Sequence, residues 1–226
     1  MKRVYLYGAG GHAGVIHEIL ADCGVQVVGV FDDNPPAAKL RILPVRDGLR
    51  LVGERFPQLD APVIITVGDN GRRAELAAFL GASYACAIHQ SAIVSASAIV
   101  GEGSMILHGA ILQARTRIGR HVLINTAATI DHDNVIGDFA HVSPHATLCG
   151  HVEVGEGTHV GAGAIVIQMV KIGRWCTIGA GSVVLRDVPD YATVVGNPGR
   201  VIRVEEPSQP SEACDGSPSL CQRSTI

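Results

Sequence analysis

A strict six-residue repeat of aliphatic positions runs through the middle of the chain, from Ile88 to Val184. Every sixth residue over this stretch is isoleucine, leucine or valine, at seventeen positions in all. A small or β-branched residue lies four positions after each of them, except where that position holds Asn134. Helices repeat about every 3.6 residues and half-buried strands about every 2. The spacing of six therefore predicts short strands joined by tight turns, coiled so that the aliphatic side chains stack inside.

The residues before this repeat alternate between strand and helix patterns. Strands are predicted at 3–7, 25–31, 63–67 and 84–88, with helices at about 12–24, 46–56 and 71–80. This alternation predicts a small parallel α/β sheet with ligand-facing loops at the strand ends. We therefore predict a Rossmann-like domain over residues 1–85, a parallel β-helix over 86–204, and a disordered Ser/Pro-rich tail over 205–226.

Composition narrows the classes of function. Aromatic residues make up only 4% of the chain, which suits a narrow solenoid interior. The formal net charge of −3 predicts no nucleic-acid partner, and the lack of any apolar run of about 18 residues predicts no membrane insertion. The six cysteines form no Cys-x-x-Cys pair, so we expect reduced thiols in a cytoplasmic protein.

A glycine-rich loop follows the first strand. Gly8-x-Gly10-x-x-Ala13, with Asp32 further on, formally matches a dinucleotide fingerprint. A dinucleotide-binding sheet is built from two βαβαβ halves. The roughly 85 residues that precede the repeat are too few for both halves. Anion binding by the loop and the following helix N-terminus is the favoured interpretation, and a tight turn without a ligand is the alternative.

Polar residues at the ends of the strands are the further candidates for binding. His12 either donates to a phosphate or sugar hydroxyl or fills space in the loop. Asp32 and Asp33 are either acceptors for base or sugar hydroxyls or solvated turn carboxylates. In the run Gly68-Asp69-Asn70-x-Arg72, the guanidinium is a candidate counter-ion for a phosphate.

Together, the strand–Gly-x-Gly-Gly-His–helix opening, the Asp-Asp strand end, the Gly-Asp-Asn-x-Arg turn and the hexapeptides resemble a known family. This family is the sugar acetyltransferases related to sialic acid O-acetyltransferase. It includes nucleotide-linked 4-amino-sugar N-acetyltransferases of the bacillosamine and perosamine type. The resemblance covers residues 2 to about 204. The closing stretch at 195–200 has Gly199 where the family has alanine.

This resemblance implies a left-handed β-helix with three hexapeptides, or eighteen residues, per coil. It also implies a homotrimer with active sites between subunits, acetyl-CoA as co-substrate and no metal. The N-terminal domain would hold a nucleotide-linked amino sugar, through Gly10, Gly11, His12, Asp32, Asp33, Gly68, Asn70 and Arg72.

The resemblance also implies a catalytic pair in the turn after residues 125–131. His132 would be the general base and Asp133 the acid that raises its basicity. A neutral imidazole suits proton transfer near pH 7. By the same resemblance, His141 contacts acetyl-CoA, and the backbone at Ala162 and Ala180 holds its pantetheine and adenine ends.

The spacing of eighteen adds a prediction of its own. Gly150 lies one coil from His132, with Ala114 on the opposite side. A glycine there leaves room for a thioester, and its N–H is a candidate donor to the oxyanion. His141 is half a coil from His132, so these histidines meet only if two subunits pack side by side. Asn134 is expected to hydrogen-bond backbone and fix the turn.

Other functions remain open from the residues. The acceptor is either an amine or a hydroxyl such as that of sialic acid, and its nucleotide is either UDP or GDP. A non-catalytic binding or scaffold β-helix and a zinc hydratase are the alternatives of other classes. The remaining histidines of the repeat are interpreted as solvated turn residues, and Ser143 is not expected to be a nucleophile; these histidines are His121, His145, His151 and His159.

Overall fold

The N-terminal part of the protein is a parallel α/β unit. A computed structural model describes residues 2–33, 45–47 and 59–205. The elements of this part are β1 Lys2–Tyr7, α1 Gly11–Asp22, β2 Val25–Asp32, β3 Val45–Asp47, β4 Val63–Ile65 and α2 Asn70–Leu80. The four strands form a parallel sheet, sheet A, in the order β3-β2-β1-β4. This confirms the predicted Rossmann-like arrangement.

One predicted element is wrong where the structure describes it. The helix expected at about 46–56 begins where the structure has β3, which pairs in parallel with the end of β2. The rest of that helix, from residue 48, lies outside the described residues. Strand β2 needs partners for its backbone N–H and C=O groups on this side, so pairing across the sheet overrides the local pattern.

The two helices are fixed by different local signals. Helix α1 buries Ala13, Ile16 and Ile19 against the sheet. Helix α2 is capped at its N-terminus by Asp69, whose carboxylate accepts a hydrogen bond from the Arg72 N–H at 2.7 Å. It ends at Gly81, whose φ of 52° lies in the left-handed region that favours glycine.

The second part of the chain is the predicted β-helix, built from three parallel sheets. Sheet B contains β5 Ala87–Ile88, β8 Met105–Ile106, β11 Leu123–Ile124, β14 His141–Val142, β17 His159–Val160, β20 Thr177–Ile178 and β22 Ala192–Val195, with β23 Arg200–Val204 antiparallel at its end. Sheet C contains β6 Ile93–Val94, β9 Ile111–Leu112, β12 Thr129–Ile130, β15 Thr147–Leu148, β18 Ile165–Val166 and β21 Val183–Val184. Sheet D contains β7 Ile99–Val100, β10 Arg117–Ile118, β13 Val135–Ile136, β16 Glu153–Val154 and β19 Lys171–Ile172.

The register of these sheets confirms eighteen residues per coil. Thr129 pairs with Thr147 in sheet C, and Leu123 pairs with His141 in sheet B. The repeating aliphatic residues from Ile106 onward are buried in one continuous core. Ile88 is 37% exposed because it belongs to the first coil, which has no coil below it to cover its side chain.

Sheet B also carries the N-terminal unit on its outer face. Ala87, Met105 and Leu123 occupy the outward position of three successive strands of sheet B, and all three are buried. They share one hydrophobic cluster with Ile16 of α1 and Leu6 of β1. The two parts of the chain are therefore joined by a common core.

Arg73 is a polar connection within this junction. Its side chain is fully buried and donates through Nε to the His121 carbonyl at 2.8 Å and through Nη2 to the Phe139 carbonyl at 2.7 Å. On its own side of the junction it donates to the Val67 carbonyl at 3.0 Å and to Asn70 Oδ1 at 2.8 Å. Burial lowers the pKa of Arg73 to about 10, so the guanidinium remains charged at neutral pH. One cation thus fixes helix α2 to two coils of the β-helix.

Removing this guanidinium is expected to destabilise the protein. Hydrogen bonds to a charged group contribute about 1.5–3 kcal/mol each, and buried carbonyls would lose their donor, so Arg73→Leu should lower the free energy of unfolding by at least about 3 kcal/mol. Urea denaturation measures this change. Arg72→Leu is the matched control, because its exposed ion pairs contribute about 0–1 kcal/mol. Equal losses in the two variants would contradict the assignment.

Two further expectations concern the chain as a whole. Across residues 2–33, 45–47 and 59–205, no helix is long and apolar enough to cross a membrane. The predicted tail lies outside the described residues beyond Glu205, whose N–H donates to the Tyr191 carbonyl at 3.1 Å.

Candidate active site

The turn that holds His132 lies between β12 and β13, at the corner where the chain passes from sheet C to sheet D. Asn134 is fully buried beside it and donates through Nδ2 to the Asp131 carbonyl at 2.8 Å and the Cys149 carbonyl at 2.9 Å. The amide thus ties this turn to the turn one coil further on. The expected role of Asn134 in fixing the turn is confirmed.

His132 and Asp133 form a hydrogen-bonded pair at this corner. His132 Nδ1 lies 2.8 Å from Asp133 Oδ2, and the side chains are 46% and 21% exposed. An ionised carboxylate only accepts hydrogen bonds, so Nδ1 carries a proton. In its neutral form the ring is therefore the tautomer whose free lone pair is on Nε2.

Gly150 lies directly against this imidazole, as the eighteen-residue spacing predicts. A Cβ atom built on Gly150 would lie 2.7 Å from His132 Cε1 and 2.8 Å from Nε2. The His151 N–H donates to the His132 carbonyl at 3.0 Å, which fixes the two coils in register. Only glycine leaves the reactive edge of the ring uncovered here.

Two charged or titratable neighbours of Asp133 were not predicted. Arg115 binds both carboxylate oxygens, at 2.6 and 2.7 Å, and His151 Nε2 lies 3.6 Å from Oδ2. Both residues are eighteen positions from Asp133. The eighteen-residue spacing that predicted the contact of Gly150 with His132 also predicts Arg115 and His151 beside Asp133. His151 is exposed, as a solvated turn residue should be.

The glycine loop of the N-terminal unit is closed by Asp32. Gly8 has φ of 107° and packs against the backbone of Thr66, so a side chain is excluded there. The Ala9 N–H donates to Asp32 Oδ2 at 2.6 Å. In the first turn of α1, directly after this loop, His12 Nε2 is buried without a hydrogen-bond partner in the described part of the chain. Burial, with a smaller contribution from Arg73, lowers the pKa of His12 to about 4, which keeps the ring neutral.

The other predicted binding residues of this unit make contacts within the protein. Arg72 Nη2 pairs with Asp33 Oδ2 at 2.6 Å, and Asp33 also accepts a hydrogen bond from the Tyr7 hydroxyl. Asn70 Nδ2 donates to the Gly157 carbonyl of the β-helix at 3.0 Å. The Gly68 carbonyl accepts from Arg73 at 3.2 Å.

Gly10 and Gly11 form the N-terminus of α1, and a Cβ atom on either would meet no atom within 4 Å. Open space therefore lies beside this helix end. The predicted roles of these residues in substrate binding stay predictions.

A column of polar side chains lies on the outer face of sheet B, in the coils that follow the apolar contact made by Ala87, Met105 and Leu123. His141 stacks on His159 with ring centroids 4.8 Å apart, and its Nε2 lies 3.2 Å from Asn125 Nδ2. Burial, and then the charges of His159 and Arg73, lower the pKa of His141 to about 3.

Two histidines are wrongly interpreted as solvated. His159 is a half-buried strand residue whose Nε2 lies 2.7 Å from Ser143 Oγ. His121 is 3% exposed and stacks on Phe139 at 5.3 Å. His121 lies against Arg73 and Tyr84 of the N-terminal unit, and this docking is not encoded in the repeat itself. His145 is exposed, as expected.

Ala162 and Ala180 are exposed and lie one above the other at the corner that follows sheet B. The Gly181 N–H donates to the Ala162 carbonyl at 2.8 Å. His132 lies at the next corner, beyond sheet C. The predicted acetyl-CoA residues and the predicted base are thus on different sides of one β-helix.

Metal-binding atoms converge in two places in the described part of the chain, with ligand atoms within 4.8 Å of each other: Asp22 with His89 and His108, and His132 with Asp133 and His151. In the second group, Arg115 already occupies both oxygens of the carboxylate. In the first group, the two imidazoles are stacked with centroids 3.7 Å apart. We assign a metal to neither, and the expected absence of a metal stays a prediction.

The buried histidines predict a loss of stability in acid. Burial lowers the pKa of His121 to about 4, and the unfolded chain would bind a proton nearer pH 6.5. The stabilisation is therefore complete above about pH 6.5 and decreases as the pH falls toward 4, by up to about 1.4 kcal/mol per pH unit for each such histidine. We expect His121→Asn to flatten the dependence of unfolding free energy on pH between 6.5 and 4.5. Exposed His145→Asn should leave that slope unchanged, and a slope unaltered in both variants would refute the expectation.

An eighteen-residue coil, a histidine–carboxylate pair at a turn and a glycine one coil above it define the class of β-helix acyltransferases. Residues 3–80 match the family model described as the PglD N-terminal domain. A 124-residue segment is 43% identical to UDP-N-acetylbacillosamine N-acetyltransferase from Bacillus subtilis, covering 47% of this chain and 52% of that protein. The chain thus spans about half the length of this curated relative.

Solved structures match over most of the chain. A mutant of perosamine N-acetyltransferase from Caulobacter crescentus, in complex with CoA and GDP-perosamine, is 38% identical with a TM-score of 0.82, over 89% of this chain and 97% of that one. The acetyltransferase domain of PglB from Neisseria gonorrhoeae, in complex with acetyl coenzyme A, is 35% identical with a TM-score of 0.79, over 89% and 99%. The chain belongs to this family of left-handed β-helix sugar N-acetyltransferases, which use acetyl-CoA.

Proposed function

We propose that the protein transfers the acetyl group of acetyl-CoA to the amino group of a nucleotide-linked 4-amino-4,6-dideoxy sugar, with His132 as general base. The observation that supports this most is the His132–Asp133 pair, whose free Nε2 faces Gly150. A scaffold protein has no need of a polarised imidazole at an uncovered turn. The proposal also has the support of relatives that act on bacillosamine and perosamine.

The reaction follows from the tautomer of His132. The sugar amine attacks the thioester carbonyl carbon directly, forming the C–N bond, while Nε2 accepts the amine proton. Asp133 stabilises the resulting imidazolium through Nδ1–H. The C–S bond then breaks, and the imidazolium returns the proton to the leaving thiolate, giving coenzyme A and the N-acetyl sugar. No covalent acetyl-enzyme is required.

Gly150 has a second role in this proposal. Within the described part of the chain its N–H donates to no protein acceptor. An unused N–H beside the imidazole is suited to stabilise the oxyanion of the tetrahedral intermediate. The absence of a side chain leaves space for the thioester at the same point.

The nucleotide end of the substrate is proposed to lie on residues 1–85, and the acetyl donor on residues 86–204. The glycine loop with Gly10 and Gly11 offers open space at a helix N-terminus, which favours a phosphate. The neutral His12, with its unpartnered Nε2, is suited to a sugar hydroxyl or phosphate oxygen. Asp33 and Arg72 line the same edge of sheet A as an ion pair.

We further propose a homotrimer with active sites between subunits. His132 and His141 lie on different sides of one β-helix, so a site that uses both needs a second copy. The outer face of sheet C exposes Ile93 at 65% and Ile165 at 42%, which supports side-by-side packing of copies. The free thiols of Cys23 and Cys149 support a reducing compartment, and we place the enzyme in the cytoplasm.

Thiol release from acetyl-CoA tests the reaction. The full chain is assayed with UDP- and GDP-linked 4-amino sugars, with the matching 4-hydroxy sugars, and with free sialic acid. Turnover with an amino sugar alone is the expected result. Turnover only with a hydroxyl acceptor would replace N-acetylation by O-acetylation. No turnover and no binding of coenzyme A would replace catalysis by a scaffold role.

A further inference from the structure

Three side chains form a column at the corner of His132, one from each successive coil. Arg115, Asp133 and His151 are eighteen residues apart and share a left-handed backbone, with φ of 62°, 61° and 58°. The Asp133 N–H donates to the Ala114 carbonyl at 3.0 Å, and the His151 N–H donates to the His132 carbonyl at 3.0 Å. The coil geometry therefore sets the carboxylate of Asp133 between a guanidinium on one side and an imidazole on the other.

The guanidinium of Arg115 restrains the carboxylate in two directions. Its Nε lies 2.6 Å from Asp133 Oδ1 and its Nη2 lies 2.7 Å from Oδ2. Two parallel hydrogen bonds of this kind fix the plane of a carboxylate. Oδ2 is the same atom that lies 2.8 Å from His132 Nδ1. Rotation of Asp133 away from the imidazole would break both bonds to Arg115.

The same contact balances charge. Hydrogen bonds from Arg115, and then from His132, hold the pKa of Asp133 far below its usual range, so the carboxylate is ionised at every physiological pH. An isolated carboxylate beside an imidazole favours the protonated ring. A paired guanidinium opposes that effect, because the Arg115–Asp133 pair has no net charge.

We propose that Arg115 is a positioning residue for His132: it holds the carboxylate of Asp133 on Nδ1 and offsets the negative charge that Asp133 places beside the ring. This inference rests on the proposed function, since it takes His132 as the base. It concerns the arrangement around the base and not the identity of the acceptor.

Other charged or titratable groups around His132 are few in the described part of the chain. Asp131 lies in its own turn and accepts the His132 N–H at 2.7 Å. His151 comes from the coil after, with its ring centroid 5.3 Å from that of His132. Arg117 lines the same shallow cavity as Arg115 and Asp133. None of these three binds both oxygens of Asp133.

Opposite shifts in two variants test the proposal. In Arg115→Gln the negative charge of Asp133 is no longer offset by a guanidinium. The acid limb of the pH profile of kcat/KM should therefore move to higher pH by about 0.5–1 unit. In Asp133→Asn the positive charge of Arg115 is no longer offset by a carboxylate, and the acid limb should move to lower pH by a similar amount. The double variant should return to within about 0.3 unit of the wild-type midpoint, because both charges are gone. KM for acetyl-CoA should change less than kcat in Arg115→Gln.

The chain supplies a matched control. Arg120 and Asp138 also form an ion pair eighteen residues apart, at 3.0 Å, but at the corner that follows sheet D. Arg120→Gln removes an equivalent surface pair and should leave the pH midpoint unmoved. An equal midpoint in Arg115→Gln, Arg120→Gln and wild type would overturn the proposal and reduce Arg115 to a structural role.

An NMR titration of the His132 imidazole provides the same comparison without any acceptor substrate. The titration midpoint should rise in Arg115→Gln and fall in Asp133→Asn, and unchanged midpoints in both would also overturn the proposal. Failure of the proposed function would be distinguished by turnover, because His132→Ala would then retain the wild-type rate. An inactive His132→Ala with unmoved midpoints would refute only the role of Arg115.

Discussion

Replacing His132 by alanine is expected to lower kcat by about 10²–10⁴-fold, the range over which a positioned general base contributes. The imidazole is half exposed and packs in no hydrophobic core, so its loss should leave the melting temperature almost unchanged. In the proposed reaction Nε2 accepts the amine proton, and alanine offers no replacement. Steady-state thiol release at saturating acetyl-CoA measures the effect.

His145→Asn is the matched control for this variant. His145 is another exposed histidine of the β-helix with a left-handed backbone, but it lies at the corner after sheet B, away from Asp133. Its replacement should change kcat less than about twofold. Full activity in His132→Ala would remove the base assignment. A comparable loss in both variants would point to a general disturbance of the β-helix.

Adding one methyl group at Gly150 is the second large effect. The Cβ of alanine would lie 2.7 Å from His132 Cε1 and 2.8 Å from Nε2, well inside van der Waals contact. The ring belongs to a half-exposed side chain that can rotate outward, so the conflict is relieved by displacing His132 and breaking its bond to Asp133. We expect kcat to fall by at least about 10²-fold, as for removal of a catalytic donor or base. The free energy of unfolding should change by less than about 1 kcal/mol, because no core packing is lost.

Glycine at another turn provides the control. At Gly109 a Cβ atom would meet nothing closer than 4.0 Å, and its φ of 66° is one that asparagine tolerates. Gly109→Asn should therefore keep both activity and stability. If Gly150→Ala retains wild-type kcat, then the imidazole is not held against Gly150 during catalysis. Loss of folding in Gly150→Ala, measured by the melting temperature, would show that the effect is not local.

The β-helix is predicted from the sequence because one physical rule generates it. An interior that admits one aliphatic residue per side of each coil imposes a spacing of six, and the stack of coils imposes a spacing of eighteen. Those two numbers place Gly150 on His132 without a structure. Applied fully, they would also have placed Arg115 beneath Asp133. Almost all the neighbours of the His132 turn can thus be predicted from the spacing of the repeat.

The junction between the two units is not contained in any repeat. Two adjacent arginines follow Asn70, and the sequence pattern gives no reason to prefer one. The structure buries Arg73 among carbonyls of both units and leaves Arg72 in exposed ion pairs. His121 has the sequence context of an exposed turn, yet Tyr84 and Phe139 cover its ring. Burial in both cases comes from docking, which depends on surfaces distant in sequence.

The stacking of identical coils limits how such an enzyme changes in evolution. Neighbouring strands of a sheet are about 4.8 Å apart, so the turn of His132 stands at a fixed height above the strands on which the N-terminal unit docks. A deletion or insertion within the strands that is shorter than a whole coil would move aliphatic side chains out of the interior and polar ones into it. A change of length that keeps every coil in register adds or removes eighteen residues at once. Under the proposed function, the distance from the nucleotide to the amine that is acetylated could therefore adjust along the helix axis only in steps of about 4.8 Å, and finer adjustment to a new sugar would have to come from the loops of the N-terminal unit.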